Sequence, residues 1–250
     1  MTPAGPGGPG PARSADARLF FIHIPKTAGT SLRRIVRQQY PGDQFIPVYS
    51  HDPAELESVR RKLDDGRVLY GHFSHGLHET LETRGRYIAL LRDPVARVLS
   101  LYRHQRNNPR ASHHALVNSG PTLRDLLDSN AIHELNNHMT RIVSGHVGIE
   151  RLDDDAVLRR AVAHIERDFV LVGLVERMAE TVALLSRLLD WRGTSELPWL
   201  NVGRSADSEP LDTPTRGAIE RANRLDLALY HWAVARFERT STENCARTES

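Results

Sequence analysis

The stretch that decides the fold is FFIHIPKTAGTS, residues 20–31. Its first half is short, aromatic and β-branched, a composition typical of a buried strand, and Pro25 ends that strand. Leu32, Ile35 and Val36 then fall on one face of a helix. Between strand and helix lies a glycine-containing loop. Glycine lets the backbone approach an anion closely, and a helix start adds positive potential, so the segment predicts an anion-binding turn.

The loop carries side chains that bind phosphate. Thr27, Thr30 and Ser31 offer hydroxyl donors, and Lys26 can meet the charge of a phosphate or of a bridging oxygen. The pattern G-x-x-x-x-G-K-[ST] is absent, because the lysine precedes the glycine, so an ordinary magnesium–ATP site is not predicted. The plainer alternative is a strand–helix turn capped by a threonine or serine. The predicted anion-binding residues are Lys26, Thr27, Ala28, Gly29, Thr30 and Ser31.

Further apolar segments extend the strand–helix alternation. Buried strands are predicted at 67–71, 87–91 and 169–175, and amphipathic helices between them. Strands that alternate with helices imply a mainly parallel central sheet flanked by helices, a three-layer α/β sandwich. Ligands of such sheets bind outside the carboxyl ends of the strands, where the chemically rich segments 25–31, 72–78 and 92 onward lie.

Composition limits the class of protein. The chain has 250 residues, 40% hydrophobic and 26% charged, which fits a soluble globular domain. A net charge of +2 provides no global basic field for nucleic acid. The longest apolar runs fall short of the ~18 residues of a membrane span. The composition therefore predicts neither a nucleic-acid partner nor a transmembrane segment.

The two ends of the chain differ in composition from its middle. Residues 1–17 are rich in Pro, Gly and Ala without the apolar run of a secretion signal, so a disordered tail is predicted. Residues 18–239 are predicted to form one domain and residues 240–250 a polar tail. Cys245 is the only cysteine. An intramolecular disulfide is thus impossible, and a cytoplasmic location is expected.

A second candidate phosphate site follows the strand at 87–91. Arg92 ends that strand and points a fork of donors into the crevice, which suits a phosphate. Ser100, two turns into the next helix, lies on a face that can return toward the same crevice. Asp93 is interpreted as the helix N-cap. The alternatives are a salt bridge for Arg92 and an ordinary helical role for Ser100.

Histidines cluster after the strand at 67–71. His72, His75 and His78 are spaced by three, which on a helix would indicate metal binding, but Gly71 and Gly76 interrupt the segment. No metal site is predicted. Histidine suits general-base work near neutral pH. His75 and His78 are interpreted as polar loop residues, whereas His72 is kept as the candidate base.

Two of these segments resemble a known family. FFIHIPKTAGTS resembles the 5'-phosphosulfate loop of carbohydrate sulfotransferases that use 3'-phosphoadenosine-5'-phosphosulfate (PAPS). LLRDPVARVLSLY, residues 90–102, resembles their 3'-phosphate motif, in which an arginine and a serine eight positions later hold the 3'-phosphate. Gly71-His72-Phe73 is similar to the catalytic histidine segment of the branch resembling heparan-sulfate 2-O-sulfotransferases. The resemblance runs from about Leu19 to Phe237.

The resemblance implies a P-loop-like fold and a soluble, bacterial-type sulfotransferase. PAPS would be the co-substrate, released as 3'-phosphoadenosine 5'-phosphate (PAP), with no metal. His72 would act as base and Lys26 on the leaving group. Arg92 and Ser100 would hold the 3'-phosphate, and a late loop with Arg204 and Ser205 would close over the nucleotide. The acceptor would be a saccharide, a glycolipid or another hydroxylated molecule.

Two rival functions use the same residues differently. A phosphotransferase with a degenerate nucleotide loop would need Mg²⁺ and an acidic ligand after a strand. A non-catalytic PAP-binding protein would keep Lys26 and Arg92 but would not require a base at His72.

Overall fold

A computed structural model describes residues 18–50, 52–146, 154–193 and 211–246. Five strands form one sheet in the order β2-β3-β1-β4-β5, and every neighbouring pair is parallel. The predicted P-loop-like α/β architecture with a parallel central sheet is confirmed, with β1 at the centre. The strands are β1 Arg18–Ile22, β2 Phe45–Val48, β3 Val68–Gly71, β4 Gly85–Leu91 and β5 Phe169–Leu174.

The described residues also form eleven α-helices. Single 3-10 turns lie at 42–44, 133–135 and 175–177. The helices are α1 Gly29–Gln39, α2 Pro53–Arg61, α3 Leu77–Thr80, α4 Pro94–Asn107, α5 His114–Asn118, α6 Leu123–Ser129, α7 His138–Val143, α8 Asp154–Asp168, α9 Met178–Leu188, α10 Thr213–Ala222 and α11 Arg224–Ala246.

Side chains from outside the sheet cover both of its faces, as the two adjacent phenylalanines of β1 show. Neighbouring side chains of a strand point to opposite faces. Phe20 packs edge-on against Phe73, with ring centroids 6.2 Å apart, and Phe21 stacks on Trp191 at 6.1 Å on the other face. Both phenylalanines are at most 1% exposed. Full burial of each such side chain contributes about 1.5–3 kcal/mol, so covering both faces of β1 stabilises the fold.

The edge strand β2 is missing from the sequence-based prediction. It is four residues long and contains Pro47, whose lack of an N–H argues against a strand. At the edge of the sheet only one side of β2 pairs, with β3, and proline is tolerated there. The strand matters for the site because it places Tyr49 at the carboxyl edge of the sheet.

The C-terminal part of the chain forms two consecutive helices. Asn223 separates α10 from α11, and its side-chain Nδ2 donates hydrogen bonds to the carbonyl oxygens of Leu135 and Ile219. Helix α11 continues to Ala246, past the start of the predicted polar tail at 240. Among the helices of the described residues, none combines the length and apolar character needed to cross a bilayer.

Candidate active site

A cleft of about 870 Å³ opens at the carboxyl edge of the sheet. Its walls come from the segments that follow β1, β3, β4 and β5, where ligands of parallel α/β sheets bind. The structure thus brings the separately predicted segments into one site. The predicted site residues on its walls are Lys26, Ala28, Gly29, Thr30, Ser31, His72, Arg92 and Ser100.

The loop between β1 and α1 has an unusual backbone. Lys26 has φ 69° and Ala28 has φ 57°, both in the left-handed region that non-glycine residues rarely occupy. Helix α1 begins at Gly29, and the first amides of a helix have no intrahelical acceptor. Turns that mix left- and right-handed residues gather successive N–H groups into an anion-binding concavity. The geometry therefore fits the predicted anion site.

Thr27 has a structural role in the loop. It is only 1% exposed, and its Oγ1 donates a 2.8 Å hydrogen bond to the carbonyl oxygen of Ile24. Its backbone N–H donates to the same oxygen at 3.3 Å. Both donors of Thr27 therefore hold the loop together, and its predicted contact with the ligand stays a prediction.

Glycine is required at position 29 because the ring of His23, the residue that follows β1, lies against it. A Cβ at position 29 would lie 1.8 Å from Cδ2 of the His23 ring. Such an approach is far inside van der Waals contact, so His23 sits where a side chain at 29 would have to be. The sequence predicts the glycine from anion binding, whereas the structure adds this packing requirement.

His23 is held neutral by its surroundings. Burial, followed by the nearby charges of His72, Arg33 and Lys26, lowers the pKa of His23 to about 4. Its Nδ1 is buried and has no hydrogen-bond partner within the described part of the chain. At neutral pH, His23 is therefore an uncharged ring between the anion loop and His72.

His72 follows the carboxyl end of β3. Its N–H donates to Val48 O at 2.9 Å, which fixes the backbone, and its ring lies between His23 and Tyr49 at centroid distances of 4.7 and 5.0 Å. The side chain stays open to the cleft, yet the concave wall around it partly removes water. This burial lowers the pKa of His72 below its ordinary value of 6.5, so the ring is a proton acceptor at pH 7.

Arg92 joins the two predicted phosphate sites. Its Nη1 donates to the carbonyl oxygen of Lys26 at 3.2 Å, across the junction of β1 and β4. The carboxylate of Asp93 instead accepts from the N–H of Ala96, as the predicted N-cap of α4. No ion pair of Arg92 occurs among the residues the structure describes. Burial and then the charge of Arg92 lower the pKa of Lys26. Two cations thus face one cleft.

Several cleft residues were not predicted from the sequence. Glu176 accepts from the N–H of Asp93 at 3.0 Å and from the hydroxyl of Tyr230 at 2.8 Å, so it ties α11 to the start of α4. His104 lies one helical turn beyond Ser100, and that i,i+4 spacing is the signal that could have found it. Other unpredicted wall residues are Gln105, Ser112, Glu134 and Val175.

His75 and His78 are not among the residues that line the cleft, and both make contacts within the fold. His75 is 5% exposed and its Nε2 lies 2.7 Å from the Asp168 carboxylate, while Nδ1 of His78 lies 2.8 Å from the Tyr87 hydroxyl. Across the described ranges, no three His, Cys, Asp or Glu side chains are arranged to hold a metal ion. The predicted Arg204 and Ser205 lie outside the described residues.

Comparison with known proteins finds relatives of this chain. The family model described as the sulfotransferase family matches residues 12–233. Heparan-sulfate 6-O-sulfotransferase 2 of Gallus gallus is 26% identical over 87% of this chain and 66% of its own length. Heparan-sulfate 6-O-sulfotransferase 1-B of Danio rerio is 29% identical over 88% and 66%. The chain thus spans slightly less than two thirds of these relatives.

Two further similarities were found. A protein-tyrosine sulfotransferase of Arabidopsis thaliana is 33% identical over 92 residues, which is 36% of this chain and 18% of that protein. Among solved structures, mouse sulfotransferase SULT7A1 complexed with PAP aligns with a TM-score of 0.45 and 15% identity, covering 83% of this chain and 65% of that one.

Proposed function

The chain belongs to the sulfotransferase family, as the match over residues 12–233 shows, and on that premise we propose that it transfers a sulfuryl group from PAPS to a hydroxyl of a saccharide-like acceptor. The observation that carries the proposal is the single cleft that unites the Lys26 loop, Arg92, Ser100 and His72. The relatives named for heparan-sulfate 6-O-sulfation support a saccharide acceptor. The 2-O-like branch indicated by the His72 segment stays a prediction, as does a cytoplasmic location.

The residues present fit PAPS. The nucleotide carries a 3'-phosphate at one end and a phosphosulfate at the other. In the cleft, Arg92 and Ser100 would bind the 3'-phosphate. Lys26 and the first amides of α1 would bind the phosphosulfate. The 3.2 Å hydrogen bond from Arg92 to the Lys26 carbonyl sets the spacing of these two groups. A volume of about 870 Å³ is in the range of ligand-sized sites.

The proposed chemistry is a direct in-line transfer. The acceptor oxygen forms a bond to sulfur while the bond between sulfur and the 5'-phosphate oxygen breaks. His72 takes the proton of the acceptor hydroxyl, and Lys26 and the loop amides neutralise the charge that grows on the leaving phosphate. The products are PAP, the sulfated acceptor and one proton.

We expect PAP to stabilise the protein against thermal unfolding without added metal. A ligand that binds only the folded state adds roughly 2.7 kcal/mol at 100 times its dissociation constant, or roughly 5–10 °C in Tm for a chain of this size. Differential scanning fluorimetry with PAP, with EDTA present, measures the shift. Stabilisation by ATP–Mg²⁺ and none by PAP would favour the phosphotransferase instead.

Arg92→Ala is expected to weaken PAP binding selectively. A hydrogen bond to a charged group contributes about 1.5–3 kcal/mol, so the loss should be roughly 10- to 150-fold in dissociation constant. Adenosine 5'-phosphate lacks the 3'-phosphate and should bind this variant almost as well as the wild type. Ser100→Ala should show the same selectivity with a smaller loss. Isothermal titration of both nucleotides tests this. Equal losses would mean that Arg92 acts only by holding the Lys26 carbonyl.

A further inference from the structure

The order of the strands determines from which side of the cleft an acceptor can reach the proposed base. Read along the sheet, the carboxyl ends present Tyr49 after β2, His72 after β3, the Lys26 loop after β1 and Arg92 after β4. The proposed nucleotide groups occupy the β1 and β4 positions, and the proposed base stands on the β3 side. An acceptor that gives its proton to His72 must therefore approach from the side of β3 and β2, where Tyr49 is the next side chain.

Tyr49 is available to a ligand there. It is 40% exposed, one of only three large hydrophobic side chains so exposed within the described residues. Its ring lies edge-to-face with the His72 ring at 5.0 Å, with 82° between the planes. An exposed aromatic ring beside a proposed base offers a flat, partly apolar surface to the C–H groups of a sugar ring. Tyrosine also adds a hydroxyl that can bond sugar hydroxyls.

Arg33 of α1 brings a positive charge to the same place. Its guanidinium carbon lies 5.5 Å from the centroid of the Tyr49 ring, a cation–π distance. Arg33 makes no ion pair with any described residue, and its Nε is buried without a hydrogen-bond partner there. Its charge also lowers the pKa of His23, which places it within the field of the reaction centre.

We propose that Tyr49 and Arg33 form the acceptor subsite, in which Tyr49 supports a sugar ring and Arg33 binds a carboxylate or sulfate on that acceptor. The inference rests on the proposed function and names the residues that would select the acceptor. Guanidinium groups bind such planar or tetrahedral anions through two donors at once. In this arrangement, Arg33 would bind the anionic group of the acceptor, Tyr49 its sugar ring and His72 the reacting hydroxyl.

The chain contains a matched control for this pair. Arg37, one helical turn along α1, lies over the ring of Phe45 at 5.2 Å, at the opposite end of β2. Phe45 is 7% exposed, so that pair offers no ring surface to a ligand. Arg33 and Arg37 therefore share their helix and their type of aromatic contact, and they differ in access to the cleft edge.

The test measures binding of uronate-bearing hexasaccharides from heparosan, chondroitin and polygalacturonate to the full chain saturated with PAP. Each is compared with the same hexasaccharide after reduction of its carboxylates to alcohols. We expect Arg33→Gln to raise the dissociation constant of a carboxylated hexasaccharide by about 10-fold or more, the loss of one hydrogen bond to a charged group. Its effect on the reduced sugar should be small. Tyr49→Ala should weaken both, and Arg37→Gln neither.

Three results would overturn the subsite: no binding of any hexasaccharide, equal losses for charged and reduced sugars in Arg33→Gln, or an equal loss in Arg37→Gln. PAP affinity, titrated in every variant, should stay at the wild-type value, which also shows that the variants fold. If PAP fails to bind the wild-type chain, the proposed function itself fails. If PAP binds and sulfur-35 is transferred but Arg33→Gln changes nothing, only the subsite fails.

Discussion

Replacing His72 by alanine is expected to lower the turnover number by roughly 10²- to 10⁴-fold, the usual contribution of a positioned general base. The ring lines the cleft between His23 and Tyr49, and burial keeps its pKa below 6.5, so it is free to accept a proton at pH 7. PAP affinity should not change, because no nucleotide group is assigned to His72. Sulfur-35 transfer to an acceptor pool gives the rate, and isothermal titration gives the affinity.

The same assignment fixes the sign of the pH dependence. A base works in its neutral form, so kcat/KM of the wild type should be maximal above the pKa of His72 and fall as pH drops through it. Because that pKa is lowered, the acidic limb should have its midpoint below 6.5. In His72→Ala this limb should disappear. His231→Ala, which removes an exposed histidine of α11, is the control and should keep both the rate and the limb.

Near-normal turnover in His72→Ala, or an acidic limb that survives the substitution, would remove His72 from the mechanism. The transfer would then proceed without His72 as the base. The non-catalytic PAP-binding alternative predicts a different result, namely that the wild type transfers no sulfur-35 although PAP stabilises it. A parallel loss of PAP affinity would instead show that the substitution disturbs the loop through His23, whose ring contacts both His72 and the Gly29 backbone.

The second large effect is expected for Lys26→Met. Loss of one preorganised group at a centre where charge develops typically costs about 10²- to 10³-fold in kcat. Lys26 is half-buried, and burial strengthens its interaction with the leaving oxygen. PAP affinity should fall less than kcat, because the loop amides and Arg92 still bind the nucleotide. Methionine keeps most of the length of the side chain and leaves the backbone carbonyl that accepts from Arg92.

Lys62→Met is the matched control, because Lys62 is the only other lysine and lies exposed at the end of α2. It should leave kcat and PAP affinity at wild-type values. A Lys26→Met variant that lost PAP affinity in full and kept its kcat at saturation would make Lys26 a binding residue only. The two variants together separate the charge at the reaction centre from the general loss of a positive charge.

Much of the site follows from spacing within short segments. The alternation of strands and helices predicts a parallel sheet, and a parallel sheet places segments 25–31, 72–78 and 92 onward at one edge. The eight-residue interval from Arg92 to Ser100 places both on the same wall of the cleft, since one ends a strand and the other lies on the following helix. These relations join residues that are close along the chain, so they can be predicted from the sequence.

The sequence by itself thus determined the α/β class, the central strand–loop–helix unit and eight of the residues that line the cleft. Only the tertiary structure turned Thr27 into a loop-holding residue, set His23 against Gly29, and paired His75 with Asp168, 93 residues away. It also added the edge strand that brings Tyr49 beside His72. Hydrophobic period and motif spacing encode relations between near neighbours, whereas contacts between distant segments depend on how the layers pack.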